Sequence, residues 1–318
     1  LAAMLLIWLR GNAPRARCLW GGIICGALGG AIIAVYERVV LHSARASNDM
    51  NAIIFGNLSM LLGVMSLSLA LAKLLERSQN NDLWGKLAWV AGLAGVLGSL
   101  LSGTRGGWIG LPVVLWIIYR TYAKDMSRRL LLRLASGVVV LTILVLMIPQ
   151  LGVTSRIHQG FNGLGQYLSG DDTGTSVGVR LDMWRGGSWL FFDKPWFGWG
   201  EGGLEAERDR YVELGRLHQG VSVYDQLHSD IIDTAARRGL VGLTFLGLLY
   251  AVPLWLFGRR LRHPDLELRA LALAGVLIPV AFIDFGLTQS MLRDPRGLVG
   301  YLGFCAIVWA VIKRKERN

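Results

Sequence analysis

The stretch QLHSDIIDTAARRGLVG (226–242) places His228 just ahead of Asp230, Asp233, Arg237 and Arg238, and then runs into the apolar segment LVGLTFLGLLYAVPLWLF. An imidazole with an ordinary pKa of about 6.5 can accept a proton from a hydroxyl near neutral pH, which is general-base chemistry. Two other stretches offer fixed cations. Arg105 lies in SGTRGGW, and Arg180 and Arg185 lie in GVRLDMWRGG with Asp182 and Trp184 between them. A guanidinium presents a planar fork that donates two hydrogen bonds to a phosphate or carboxylate. Each of these residues also has an ordinary reading. Arg105 can reach lipid headgroups or help end a helix. Arg180 and Arg185 can pair with Asp182 on a solvated face. Asp230 and Asp233 favour a helix N-terminus, and Asp233 and Arg237 have the i,i+4 spacing of an ion pair. Asp171 and Asp172, in a stretch of Gly, Ser and Thr, read as a turn rather than a metal pair. His42, His158, His218 and His263 have no organised neighbours. Cys18, Cys25 and Cys305 show no metal-ligand spacing and read as small buried residues.

These groups must be held by membrane helices. Of 318 residues, 53% are hydrophobic and 17% charged, more apolar surface than a soluble chain of this length buries. Apolar runs near 18–41, 51–74, 87–103, 106–120, 134–149, 239–258, 270–288 and 297–312 approach or reach membrane-spanning length. The chain begins at Leu1 within LAAMLLIWL without a signal peptide, and so reads as lacking earlier helices of a longer protein.

The net charge of +11 is not a nucleic-acid footprint, because basic residues sit in short clusters between apolar runs. With RGNAPRAR (10–17) inside, the inside connections hold Lys73, Arg77 and Lys86, then Arg120, Lys124, Arg128, Arg129 and Arg133, then Arg259, Arg260, Arg262 and Arg269, and finally the tail KRKERN. The short outside connections hold only Arg38, Arg45, Arg105, Arg293 and Arg296. Cytoplasmic loops carry such an excess of Lys and Arg, which fixes the expected orientation and puts the C-terminus in the cytoplasm. One outside connection is long. Within residues 150–238 the spacing predicts helices over 178–192 and 204–217, separated by the turn-rich PWFGWGEGG (195–203). The expected organisation is therefore membrane helices in 1–149, an extracytoplasmic helical loop in 150–238 that carries the active site, and membrane helices with a tail in 239–318. The fold class is all-α, a polytopic helical bundle.

In these residues the chain resembles the O-antigen ligase family, within the group of O-antigen polymerases and bacterial protein O-oligosaccharyltransferases. That family's motif is His, then Asn, Ser or Gln, nine residues, Gly, two residues, and Gly, Thr or Tyr. His228-Ser229, DIIDTAARR, Gly239, Leu240-Val241 and Gly242 fit it at every specified position. SGTRGG around Arg105 and VRLDMW around Arg180 look like the family's two functional arginine regions, and the resemblance spans about residues 90–250.

The resemblance implies a GT-C-type architecture with a large periplasmic loop in the bacterial inner membrane. It implies transfer of a polysaccharide from undecaprenyl diphosphate to a sugar hydroxyl of lipid A–core, with no metal and no cofactor. His228 would be the general base, and Arg105, Arg180 and Arg185 would contact the donor diphosphate. A single displacement would invert the anomeric centre, since no carboxylate stands out as a nucleophile. Two alternatives share this chemistry but differ in acceptor, an O-antigen polymerase and a protein O-oligosaccharyltransferase. A transporter or flippase for an anionic lipid is an alternative of another class, although the chain shows no internal repeat of the kind many transporters carry.

Overall fold

A computed structural model describes residues 2–76, 82–104, 106–148, 153–170 and 174–317, so Arg77, Arg105, Asp171 and Asp172 lie outside the described residues. Among the described residues every regular element is helical, and seven helices are long and apolar enough to cross a membrane. The expected polytopic helical bundle is what the chain forms. It divides into two units, residues 1–145, 251–284 and 296–318 in the first, and residues 146–250 and 285–295 in the second.

The first unit contains α1 (Ala2–Gly11), α2 (Ala16–Val35, prolonged by a π-helical turn at Tyr36–Val40), α3 (Ala52–Leu75), α4 (Leu83–Ser102), α5 (Leu111–Tyr122) and nearly all of α6 (Arg128–Met147). Asn51 starts α3 by accepting the Ile53 N–H at 2.8 Å, and Asp82 starts α4 by accepting that of Trp84 at 3.0 Å. Each thereby satisfies a backbone donor that the first turn of a helix leaves free. Helix α3 is the most enclosed of these six, and α4 lies against it backbone to backbone. A Cβ on Gly95 would stand 2.5 Å from the Gly63 Cα and from the Ser59 carbonyl oxygen, so the approach depends on a residue without one. Where lipid removes the hydrophobic drive between helices, this closeness is what binds them.

Two expectations are corrected here. Cys18 and Cys25 are exposed, not buried. They are seven residues apart on one side of α2, while Leu19, Trp20, Ile23, Ile24, Ala27, Ala31 and Ala34 face the bundle. A membrane helix need not hide its outward apolar face inside protein. The run at 106–120 is also shorter as a helix than as an apolar segment. Gly106–Trp108 form a 3-10 turn, Gly110 precedes the helix and Pro112 occupies its first turn, so α5 has 12 residues. That rises about 18 Å, short of a hydrocarbon core of roughly 30 Å.

The second unit holds α7 (Val153–Ser169), α8 (Ser176–Asp193), α9 (Gly203–Glu213), a 3-10 turn at Gln219–Val223 and the first part of α10 (Asp230–Gly258). The helix expected at 178–192 is found as α8, and that expected at 204–217 as α9, which stops at Glu213 because Gly215 takes a left-handed φ of 67° and turns the chain. Thr175 caps α8 through the Gly178 N–H at 3.0 Å. Inside lie Val179, Met183, Leu190, Leu204, Tyr211, Leu217, Val221, Leu227 and Ala236, with Trp189 and Trp199 packed against them. Two further helices, α11 (Leu266–Gly286) and α12 (Pro295–Lys315), complete the chain. The first unit takes α11 up to Asp284, and the segment 285–295 between the two helices belongs to the second.

Helix α10 is broken at Gly239, where φ is 60° and ψ is −155°, a conformation essentially confined to glycine. The loop after α8 runs along the break and takes up its backbone groups. The N–H groups of Trp199 and Gly200 donate to the carbonyls of Ala236 and Arg237, both at 2.9 Å. In return the Leu240 and Val241 N–H groups donate to the Pro195 and Trp196 carbonyls at 2.7 and 3.2 Å. A Cβ at position 239 would sit 2.4 Å from the Trp196 carbonyl carbon. The break is therefore a cross-braced elbow rather than a loose kink. The end of α8 and this loop leave Phe192, Trp196 and Phe197 exposed by 74, 65 and 75%.

Candidate active site

His228 is 6% exposed and sits two residues before α10 with a left-handed φ of 51°. A non-glycine residue held there costs about 1–3 kcal/mol, so its surroundings must enforce it. Asp233 accepts the Leu227 N–H at 3.0 Å and returns its own N–H to the Ser229 carbonyl at 2.9 Å. Arg237 Nη2 donates to the Asp225 carbonyl at 2.6 Å. The peptide on either side of His228 is thus tied to the first two turns of α10.

Arg237 is 1% exposed and anchors this frame. Its guanidinium donates to Asp233 at 3.0 Å, Glu201 at 3.0 Å and Glu205 at 2.7 Å. The pairing of Asp233 with Arg237 that the i,i+4 spacing predicts is present. Arg293 also reaches Glu201, at 2.8 Å, and Arg238 reaches it at 3.3 Å. The hydrogen bond from Arg293, reinforced by the charges of Arg237 and Arg238, holds the Glu201 carboxyl below the usual carboxylate range. Asp230, also buried, accepts the Leu292 N–H at 3.0 Å and so fixes the segment 285–295 to the start of α10.

That segment supplies the direct partner of the imidazole. His228 Nδ1 lies 2.7 Å from Gln289 Oε1. An amide oxygen only accepts, so Nδ1 carries the proton and Nε2 keeps the lone pair in the neutral ring. Tyr224 meets the ring edge-on with centroids 4.8 Å apart. Burial, and then the positive charge of Arg180, push the imidazole pKa below its ordinary value, while the Gln289 hydrogen bond acts in the opposite direction. The ring is therefore neutral at neutral pH and able to take a proton at Nε2.

Arg180 comes from the second turn of α8. One Nη donates to the Ser176 carbonyl at 3.1 Å, while Nε is buried without a hydrogen-bond partner among the described residues. Burial lowers its pKa, but a guanidinium stays charged at any physiological pH. A buried donor left without an acceptor costs about 1–3 kcal/mol, a penalty that an incoming oxyanion removes.

The structure brings His228 and Arg180 into electrostatic contact but gives Arg185 different company. The Arg185 guanidinium carbon lies 4.7 Å from the Trp189 ring centroid. Asp182 does not serve the arginines. It accepts the Tyr167 hydroxyl at 2.9 Å and the His218 N–H at 2.8 Å. Of the SGTRGGW region, the flanks of Arg105 are described. Ser102 and Thr104 are buried, their hydroxyls are 2.7 Å apart, and Thr104 donates to the Ala52 carbonyl at 3.0 Å.

Gln289 escapes the sequence reading altogether, and Arg293 appears in it only as one charge on a short connection. A polar residue 61 positions from His228, outside any periodic run, gives no local signal of its role. In the sequence Glu201 is one residue of the turn-rich PWFGWGEGG and Glu205 one residue of the polar helix that follows. Among the described residues no group of three or more His, Cys, Asp or Glu is placed to hold a metal ion.

Residues 90–247 match the family described as O-antigen ligase, which bears out the resemblance drawn from the motifs and takes in α8, α9, His228 and the elbow at Gly239. A protein of Haemophilus influenzae, described as "Uncharacterized protein", is 27% identical over 306 residues, 95% of this chain and 76% of its own length. The family match supports a ligase- or polymerase-type function and a glycosyltransferase-like enzyme. With seven apolar helices of spanning length among the described residues, the chain is a multi-pass membrane protein.

Proposed function

We propose that the protein is an O-antigen ligase that moves a polysaccharide from undecaprenyl diphosphate to a sugar hydroxyl of lipid A–core, with inversion and without a metal. The observation that carries this reading is a buried His228, fixed by Gln289 so that Nε2 holds the lone pair, beside an Arg180 whose buried Nε lacks an acceptor. As the acceptor oxygen attacks the anomeric carbon, its proton passes to His228 Nε2. The bond from that carbon to the diphosphate breaks, and the leaving group takes the electron pair. Arg180 stabilises the charge that develops there, a contact whose loss typically costs about 100- to 1,000-fold in rate. The base contributes roughly 100- to 10,000-fold.

Arg105 enters as a second diphosphate contact on its sequence pattern alone. The positive-inside pattern supports an orientation with the 150–238 loop and His228 on the periplasmic side and the C-terminus in the cytoplasm, the inner membrane being implied by the family resemblance. The deciding experiment combines purified protein, lipid-linked polysaccharide and lipid A–core, with and without a chelator. Ligation that survives the chelator and is lost in folded, donor-bound His228→Ala supports the reading. A strict divalent-metal requirement, or full ligation by His228→Ala, overturns it.

A further inference from the structure

Helix α8 presents its two arginines to different surroundings. Arg180 and Arg185 are five residues apart, which turns them about 140° from one another around the helix axis. On the Arg185 side a second guanidinium arrives. Arg216, from the turn after α9, stands 5.1 Å from the same Trp189 ring and 5.3 Å from that of Tyr211. Tyr211 in turn meets Trp189 edge-on at 5.5 Å. Two cations thus converge on one indole.

Like Arg180 they lack carboxylate partners among the described residues, whereas five other arginines of this unit have them. Arg208 pairs with Asp209, Arg210 with Glu207, and Arg237, Arg238 and Arg293 with the Glu201 cluster. Neither Arg185 nor Arg216 forms an ion pair among the described residues. The nearby acids are engaged otherwise, Asp182 by Tyr167 and His218, and Asp193 by the Tyr211 hydroxyl at 3.0 Å. Both arginines are exposed, whereas Arg180 is half-buried. A guanidinium resting on an aromatic face still has its in-plane N–H edge to offer, and stacking pre-organises that edge. Two such edges converging on one ring repel each other until an anion comes between them.

We propose that Arg185 and Arg216, held on Trp189, form a second anion site that binds a phosphate group on the acceptor saccharide. This rests on the transfer reaction proposed above and adds to it the chemical class of acceptor. The donor's diphosphate belongs with Arg180 beside the base, and Arg185, which the resemblance puts on the donor, is assigned here to the acceptor instead. The open Arg185 side suits a bulky glycolipid, which presents its phosphate at the surface while its hydroxyl reaches His228.

The test measures transfer from lipid-linked polysaccharide to lipid A–core with phosphorylated core sugars, and to the same acceptor after removal of the core phosphates. Wild type is compared with Arg185→Gln, Arg216→Gln and the double variant. We expect the double variant to raise KM for the phosphorylated acceptor by roughly 10- to 100-fold, the range for charge-assisted hydrogen bonds, with kcat and the donor KM held. Wild type and double variant should converge on the dephosphorylated acceptor. An equal loss on both acceptors, a change in the donor KM, or no change at all overturns the site. Arg185→Lys with Arg216→Lys preserves charge and solubility, and should keep only part of the phosphate preference. If wild type transfers to neither acceptor, the proposed reaction itself has failed. The anion site is then judged by calorimetry with inorganic phosphate, where binding lost in the double variant sustains it and equal or absent binding removes it.

Discussion

Gln289 offers the sharpest test of how this site works, because two substitutions there should move the pH dependence in opposite directions. Gln289→Glu places a carboxylate where Oε1 now lies, 2.7 Å from His228 Nδ1. Its charge would be about 4 Å from the centre of an imidazolium. At an effective dielectric of about 20 that attraction is about 4 kcal/mol, or roughly a thousandfold in the protonation equilibrium, less whatever burial of the new charge takes back. The base must be neutral to act, so favouring the protonated ring moves the acid limb of kcat/KM to higher pH. Activity at pH 7 falls and recovers as the pH is raised.

Gln289→Leu does the reverse. It removes a hydrogen bond that favours the charged ring, so the acid limb moves to lower pH. It also leaves a buried Nδ1–H without a partner and the ring less well oriented, at a cost of about 1–3 kcal/mol. The assay is kcat/KM for transfer in proteoliposomes over about pH 5 to 9, which reports the free enzyme's essential groups. Two folded variants with the wild-type acid limb would refute both the tautomer and the identity of the base.

Other outcomes follow from the frame around the site. Gly239→Ala must adopt a glycine-only conformation with its Cβ against the Trp196 carbonyl, so thermal unfolding should show a loss of at least about 1–3 kcal/mol. Arg237→Met leaves Asp233 and Glu205 without their buried counter-charge and should cost about 3–5 kcal/mol, read as a lower unfolding temperature and loss of transfer. Phe197→Cys, labelled with a fluorophore after Cys18, Cys25 and Cys305 are replaced by serine, should be quenched by a lipid-borne quencher and shielded from aqueous iodide. Quenching by iodide alone would place that loop in water.

The helices were readable because their causes are local. Apolar runs and the polar helix after PWFGWGEGG announce themselves within a few residues. The pairing of Asp233 with Arg237 was readable for the same reason. What the sequence hid was assembled across distance. Gln289 reaches His228 from another connection, and Glu201 gathers three arginines from two parts of the chain. Arg180 and Arg185 looked alike as guanidiniums, yet helical geometry sends them to different neighbours. Cys18 and Cys25 failed by a rule carried over from soluble proteins, in which an apolar helix hides its small residues.

The braced elbow at Gly239 makes the protein its own depth gauge. Nine helical residues, Asp230 to Arg238, separate the break from the start of α10, a rise of about 14 Å. The apolar part of the helix begins at Leu240, and four backbone hydrogen bonds prevent the angle there from drifting. The height of His228 above that apolar stretch is thereby set by helix geometry and the braced elbow, and in the reaction proposed above a substrate anchored by its own lipid tail would meet the base at a level fixed in advance.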